Sequence, residues 1–339
     1  DPSAPPIREV DHFFLGLYPS TDTPALLHRE ILNEHALLVG QAGSGKTIMG
    51  VTPLITQLLR GYHTGPTKQG IVQHSDPAPM LILDLKGDLA LFNSARIEAA
   101  RRGQRFLFFR LEKGSASAYF NPFVDLRTEN RTVIEFAELV VQALNLYHGD
   151  FYGAGYYSRQ HRDLLLTVLK DAKVQPQSWD ELYALVLKKA GKQRHKDTTE
   201  LLSTIHALTF YEQLRSAPEG KDQIHMPRLV ADNEVAYFWL PSRLENMSVK
   251  EVGKLALFAI LTACAEYYEA GKPAKRTYVV IDEFQRLAGE NIKVILQQAR
   301  GFGISLVLAL QDLKDLQLSN SIDLRSTVCL LYTSDAADE

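Results

Sequence analysis

Gly40-Gln41-Ala42-Gly43-Ser44-Gly45-Lys46-Thr47 decides how the rest of this chain is read. The stretch fits G-x-x-x-x-G-K-[ST], a phosphate-binding loop of the Walker A type. Before it, His35-Ala36-Leu37-Leu38-Val39 is apolar and short, as a buried strand is. After it, Thr47 to Leu59 carries apolar residues at helical spacing. Strand, glycine-rich loop and helix form the setting the motif requires; a mere Gly-rich turn before a helix has no need of it. Gly40, Gly43 and Gly45 let the backbone curl, so that N–H groups including that of Ser44 turn inward on phosphate oxygens. The helix N-terminus adds positive potential. Lys46 is spaced to reach the β- and γ-phosphates, and the Thr47 hydroxyl to ligate Mg²⁺. The stretch predicts a nucleoside triphosphate site.

A chain of 339 residues is long enough for about two domains with buried cores. Hydrophobic residues at 45% and charged residues at 23% are those of an ordinary soluble protein. A net charge of −3 argues against a global attraction to nucleic acid and leaves a local basic channel open. Two cysteines, Cys264 and Cys329, make a disulfide framework or a cysteine zinc site unexpected, and the ten histidines show no metal-ligand spacing. The longest apolar helix candidate, Leu255 to Ala265, is too short for a bilayer, and no signal peptide opens the chain, so a cytoplasmic location is expected. Asp1 in place of a Met predicts a boundary inside a longer natural protein. Residues 329–339, from Cys329 to Glu339, resemble a translated transposase adapter of sequencing libraries and are set aside from the fold.

In chain order, residues 11–30 read as a hairpin around Pro19 to Pro24, and 61–79 as a loop. Met80 to Asp84 is a buried strand. Asp88 is placed to cap a helix with Leu89, Phe92 and Ala99 inward, stopping near Gly103. Arg105 to Phe109 is a further strand, and strand–helix–strand predicts a parallel sheet. From Arg131 to Pro227 only helix signals appear. Val133, Phe136, Val140 and Leu144 make an apolar stripe, Ser178/Glu181 and Asp197/Glu200 mark helix starts, and Gly191 marks a stop. The basic run Lys188, Lys189, Lys192, Arg194 and Lys196 reads as a solvated interhelix loop, with DNA contact as the alternative. Strand signals return at Val235 to Leu240. Ser248/Glu251 opens a helix to about Ala270, Tyr278 to Asp282 is a strand, Asn291 to Arg300 a helix, and Ile304 to Leu310 a strand. The expected architecture is α/β with a mostly parallel sheet and an inserted all-α domain. Its parts are a lead-in hairpin (1–30), a nucleotide-binding domain (31–130 and 228–328), the insertion (131–227) and the adapter-like tail (329–339).

Asp282-Glu283 after four apolar residues is a Walker B pattern. A carboxylate there can hold Mg²⁺, and Glu283 can orient and deprotonate an attacking water. A glutamate directly after the aspartate favours hydrolysis over a kinase or switch. Gln311, ending the next strand, is placed to sense the γ-phosphate or the water.

These motifs resemble the FtsK/HerA superfamily of RecA-like DNA motors, most of all the type IV secretion coupling proteins of the TraG/TraD kind. The resemblance is carried by His35 to Thr47, Asp84-Leu85-Lys86-Gly87-Asp88-Leu89, Phe120-Asn121-Pro122-Phe123, and Asp282-Glu283-Phe284 with Arg300 and Gln311 beyond it. It covers about residues 10–328 and includes the all-α domain between the Walker motifs. It implies an ATPase using ATP and Mg²⁺, with Arg300 as arginine finger and Gln311 as γ-phosphate sensor. It further implies a homo-hexamer that moves DNA, most of all single-stranded, with a relaxase toward a secretion channel. The protein would be a cytoplasmic domain tied to the inner membrane through a segment outside this sequence. The alternatives are a HerA/FtsK-like translocase on duplex DNA and a nucleotide-gated scaffold without motor activity.

Overall fold

The computed structural model describes residues 12–62, 75–112, 114, 116–126, 132–144, 146, 154–191, 196–241, 247–289, 292–317 and 323–325. Two strands, β1 (His12–Leu17) and β2 (Pro24–His28), form an antiparallel hairpin. β3 (Ala36–Val39) leads through the glycine-rich loop into one wide helical turn, Lys46–Val51, and α1 (Thr52–Arg60). β4 (Met80–Asp84), α2 (Leu89–Arg101) and β5 (Phe106–Arg110) follow. Next come β6 (Tyr119–Phe120), α3 (Pro122–Leu126), α4 (Val133–Ala143), α5 (Ala154–Asp171), α6 (Trp179–Ala190) and α7 (Lys196–Thr209). The chain continues through β7 (Gln223–Ile224), α8 (Met226–Asp232), β8 (Val235–Trp239) and the long α9 (Met247–Glu269). β9 (Thr277–Asp282), α10 (Ile292–Gln298) and β10 (Ile304–Leu310) close the order.

Six strands form one sheet in the order β3-β10-β9-β4-β8-β5, and every pairing in it is parallel. Parallel strands covered on both faces must be apolar throughout, which is why β4 and β10 are buried at every residue. The pleat sends Leu81, Leu83, Val279, Ile281, Leu306 and Leu308 to one face. There they pack with α9 and the helices from α4 to α7. Met80, Ile82, Val280 and Val307 go to the other face, under α1 and α2, with Phe13 of the hairpin in the same cluster.

Several expectations change in the structure. Leu89 is 66% exposed at the first turn of α2, whereas Ala99 is buried and Phe92 packs against the core as expected, alongside the buried Leu91, Ala95 and Glu98. The Asp88 carboxylate, accepting from the N–H groups of Ala90 and Leu91, sets the helix phase that leaves Leu89 outside. The reading of helices only between Arg131 and Pro227 misses β7, which pairs with β6. Two residues are too few to show a strand period. β4 and β5 share the parallel sheet as expected, with β8 lying between them. α7 is already running at Lys196, so Asp197 is inside it. Ser248 and Glu251 are likewise buried within α9 rather than at its cap. Arg300 lies in the one-turn 3-10 helix Ala299–Phe302 after α10. Lys189 pairs with Asp171 at 2.7 Å. Lys192 and Arg194 of the basic run, Cys329 and the adapter-like tail lie outside the described residues.

Candidate functional site

The C-terminal ends of β3, β10, β9 and β4, neighbours in the sheet, each deliver a residue to one pocket of about 280 Å³. Open parallel sheets bind ligands at this edge. From β3 comes the glycine-rich loop, tied back to the sheet by the Gly40 N–H donating to the Leu310 carbonyl (3.1 Å). Gly45 has φ +80°, and a Cβ there would meet Met49 Sδ at 3.2 Å, so glycine is required for the loop to turn into the helix. Lys46, Thr47 and Gly43 line the pocket with Gln311, Glu283, Lys86 and Arg286. Ser44 sits in the same loop, its N–H on the Gln41 carbonyl. The wide turn at Lys46–Val51 is of the π type, which recurs at functional sites.

Two side-chain clusters make the chemistry. Thr47 Oγ1 donates to Asp282 Oδ2 at 2.9 Å, both residues being buried. A hydroxyl and a carboxylate oxygen side by side are the hard donors Mg²⁺ prefers, so the residues present fit that cation. No group of three or more His, Cys, Asp or Glu among the described residues could hold a metal ion alone. The remaining ligands would therefore be phosphate oxygens and water, which is how Mg²⁺ is bound in nucleotide sites.

The second cluster centres on Glu283. Its Oε2 accepts from Gln311 Nε2 (2.7 Å) and Gln285 Nε2 (2.6 Å), and its Oε1 lies 3.5 Å from Lys46 Nζ. Glu283 itself has φ +61° and ψ +46°, a left-handed conformation that a non-glycine residue adopts at a cost. Burial alone would raise its carboxyl. The hydrogen bond from Gln311, the Lys46 ammonium, the bond from Gln285 and the Arg286 charge outweigh burial and hold it below the usual carboxylate range. Burial, with Asp84 and Glu283 nearby, pushes Asp282 the other way, against the Thr47 hydrogen bond and Lys46. The two adjacent acids are thus electrostatically unlike: one is held ionised, and the other gains most from a cation.

Lys46, Thr47, Asp282, Glu283 and Gln311 are brought together as the motifs predict. Arg300 is not. It stands before β10, whose seven residues place it about 20 Å from the Gln311 end. Its Nη2 is 3.2 Å from Glu34 Oε1, and it lines a second pocket of about 400 Å³ with Lys272, Lys275, Arg276 and Tyr268. Motif reading includes Lys86 in a strand-end stretch but gives it no role in the site, and it does not single out Gln285 and Arg286. Their signal was slight: each follows a strand-end acid by two to four residues, and for Lys86 only the sheet order shows that its strand β4 adjoins β9.

A parallel sheet in this strand order, with the phosphate loop after β3 and the acid pair after β9, defines the class: a RecA-like P-loop fold. Among solved structures, the chain is similar to the bacterial conjugative coupling protein TrwB. In its unbound monoclinic form the TM-score is 0.60 and the identity 15%, over 94% of this chain and 70% of that one. TrwB in complex with ADP and Mg²⁺ gives 0.60 and 15%, over 94% and 72%. VirB4 of Thermoanaerobacter pseudethanolicus gives 0.59 and 14%, over 96% and 83%. No family model and no curated protein matches the sequence.

Proposed function

We propose that the chain is an ATPase whose hydrolysis drives DNA transfer. The observation that carries the ATPase reading is the Glu283 carboxylate, fixed by Gln311 and Gln285 beside Lys46, one residue from the Thr47–Asp282 pair. ATP would lie with its β- and γ-phosphates on the loop N–H groups and the Lys46 ammonium. Mg²⁺, held through Thr47 and Asp282, would neutralise developing charge on the phosphates. Glu283, ionised at neutral pH, orients the attacking water and takes its proton, while Gln311 holds that carboxylate in place and reaches the terminal phosphate. Lys46→Ala is expected to abolish most triphosphate binding, because the ammonium neutralises phosphate charge in a shielded cradle. Glu283→Gln is expected to bind normally and not turn over. Equal affinity in Lys46→Ala, or normal hydrolysis in Glu283→Gln, refutes these roles.

The DNA part is supported by likeness of fold to a conjugative coupling protein. On this reading residues 131–227 are an inserted, mostly helical domain that contains the short β7, and the working form is a homo-hexamer around single-stranded DNA. The chain would act with a relaxase and secretion-channel proteins, near the inner membrane. Among the described residues no helix is long and apolar enough to cross a membrane. Arg300, at the far end of the sheet from its own pocket, would complete a neighbour's pocket. ATPase activity stimulated by single-stranded DNA supports a motor; stimulation only by duplex DNA favours a HerA/FtsK-like translocase, and none at all favours a nucleotide-gated scaffold.

A further inference from the structure

Asp84 ends β4 and is fully buried, and its carboxylate turns back on its own loop. Oδ1 accepts from the N–H groups of Lys86 (3.0 Å) and Gly87 (2.7 Å). Oδ2 accepts from the Asp88 N–H (2.8 Å) and the Tyr237 hydroxyl (2.7 Å). Four donors on one carboxylate fix the turn. Gly87 fits it at φ +80°, where a Cβ would stand 3.1 Å from Pro241 and 3.2 Å from Trp239. Asp88 then caps α2. Lys86 is held between these two anchored ends, and its side chain lines the pocket beside Lys46, Glu283 and Arg286. Its ammonium has no ion-pair or hydrogen-bond partner among the described residues. The acid that could neutralise it, Glu283, is already engaged by Gln311, Gln285 and Lys46. Lys86 is exposed, so solvent can carry its charge; what singles it out is that this anchored turn presents it to the pocket of the phosphate loop.

Strand order says which part of the ligand. The phosphate loop follows β3, Gln311 follows β10, Glu283 follows β9 and Lys86 follows β4. At about 4.8 Å per strand, Lys86 is rooted some 14 Å from the β3 loop. A phosphate tail lying on that loop and pointing at Gln311 and Glu283 brings only its last group within reach of the Lys86 side chain. We propose that Lys86 binds the terminal phosphate of a nucleoside triphosphate, and that Asp84 is the positioning residue that lets the pocket tell triphosphate from diphosphate. This rests on the reading of the pocket as a triphosphate site.

The test is calorimetric titration of the full chain with Mg²⁺ and either a non-hydrolysable ATP analogue or ADP. Losing one charge-assisted hydrogen bond should weaken the triphosphate analogue about 10- to 100-fold in Lys86→Met, and ADP less than about threefold. Lys86→Arg should recover most of the loss. Asp84→Asn keeps Lys86 but loosens its turn, and should lower the triphosphate-to-diphosphate preference in the same sense. Tyr237→Phe, which removes one of the four donors and leaves the backbone ones, should do so more weakly, and it serves if Asp84→Asn does not fold. A parent chain that binds both nucleotides, with Lys86→Met binding both as tightly or weakening both alike, overturns the assignment. A parent chain that binds neither overturns the triphosphate reading and this assignment with it.

Discussion

Glu283 is the only non-glycine residue of the pocket lining with a positive φ among the described residues, and it carries the acid on which the proposed chemistry depends. In the left-handed region a Cβ costs on the order of 1 kcal/mol that glycine avoids. Glycine normally destabilises relative to alanine through its chain entropy. Here the order should invert: in urea denaturation Glu283→Gly is expected to be more stable than Glu283→Ala by about 1 kcal/mol, with neither hydrolysing ATP. Alanine proving the more stable would mean the conformation stores no strain. His35 offers a second test at this scale. Its Nδ1 accepts from the Leu306 N–H at 3.0 Å, which requires a neutral ring. Burial first, then the Arg300 and Arg276 charges, lower its pKa to about 4. Between that value and 6.5 the unfolded chain binds the proton and the folded chain does not, so stability falls as pH drops through this window and is unaffected above it. His35→Asn keeps an acceptor near Nδ1 and removes the titration. Thermal unfolding of that variant should lose less between pH 6.5 and 4 than the parent does.

Elements were legible where local chemistry fixes them. β4, β8, β9 and β10 are continuous apolar runs because both faces are covered, and Asp88 and Ser178 cap their helices as their positions suggest. Asp88→Ala should cost about 1 kcal/mol in unfolding free energy, and a loss under a few tenths would show the cap to be idle. What was not legible is non-local. The β6–β7 pair joins residues a hundred positions apart with two residues on each side, and the placement of β8 between β4 and β5 depends on crossovers that no residue period records. In α2 only Leu89 was misplaced, because it looks like core until the cap before it fixes the first turn. The site shows the same division. Lys46, Thr47, Asp282, Glu283 and Gln311 sit at strand ends marked by motifs, whereas Lys86 enters the pocket only because β4 lies beside β9.

For the whole molecule, the telling distance is the length of β10. The phosphate loop and Gln311 lie at one end of the sheet, and Arg300 lies at the other with Glu34. If Arg300 acts on a neighbour, Lys46→Ala chains can still lend their arginine and Arg300→Ala chains can still bind nucleotide. Mixed assemblies of a ring-competent protein should then recover part of the ATPase activity that each variant lacks alone. Proven mixing without recovery, or full activity of Arg300→Ala by itself, sinks the trans role.

If Arg300 does complete a neighbour's pocket, that separation also turns catalysis into a matter of counting seams. On that reading a single protomer would have a donor edge and an acceptor edge and no finished site. Two protomers joined edge to edge finish one site between them. An open arc always has one seam fewer than its members, and only a closed circle gives every member a neighbour on both sides. Turnover per chain should therefore climb with association and step upward at closure. The rate itself then reports whether the circle is shut, without any signal passing through the interior of a subunit.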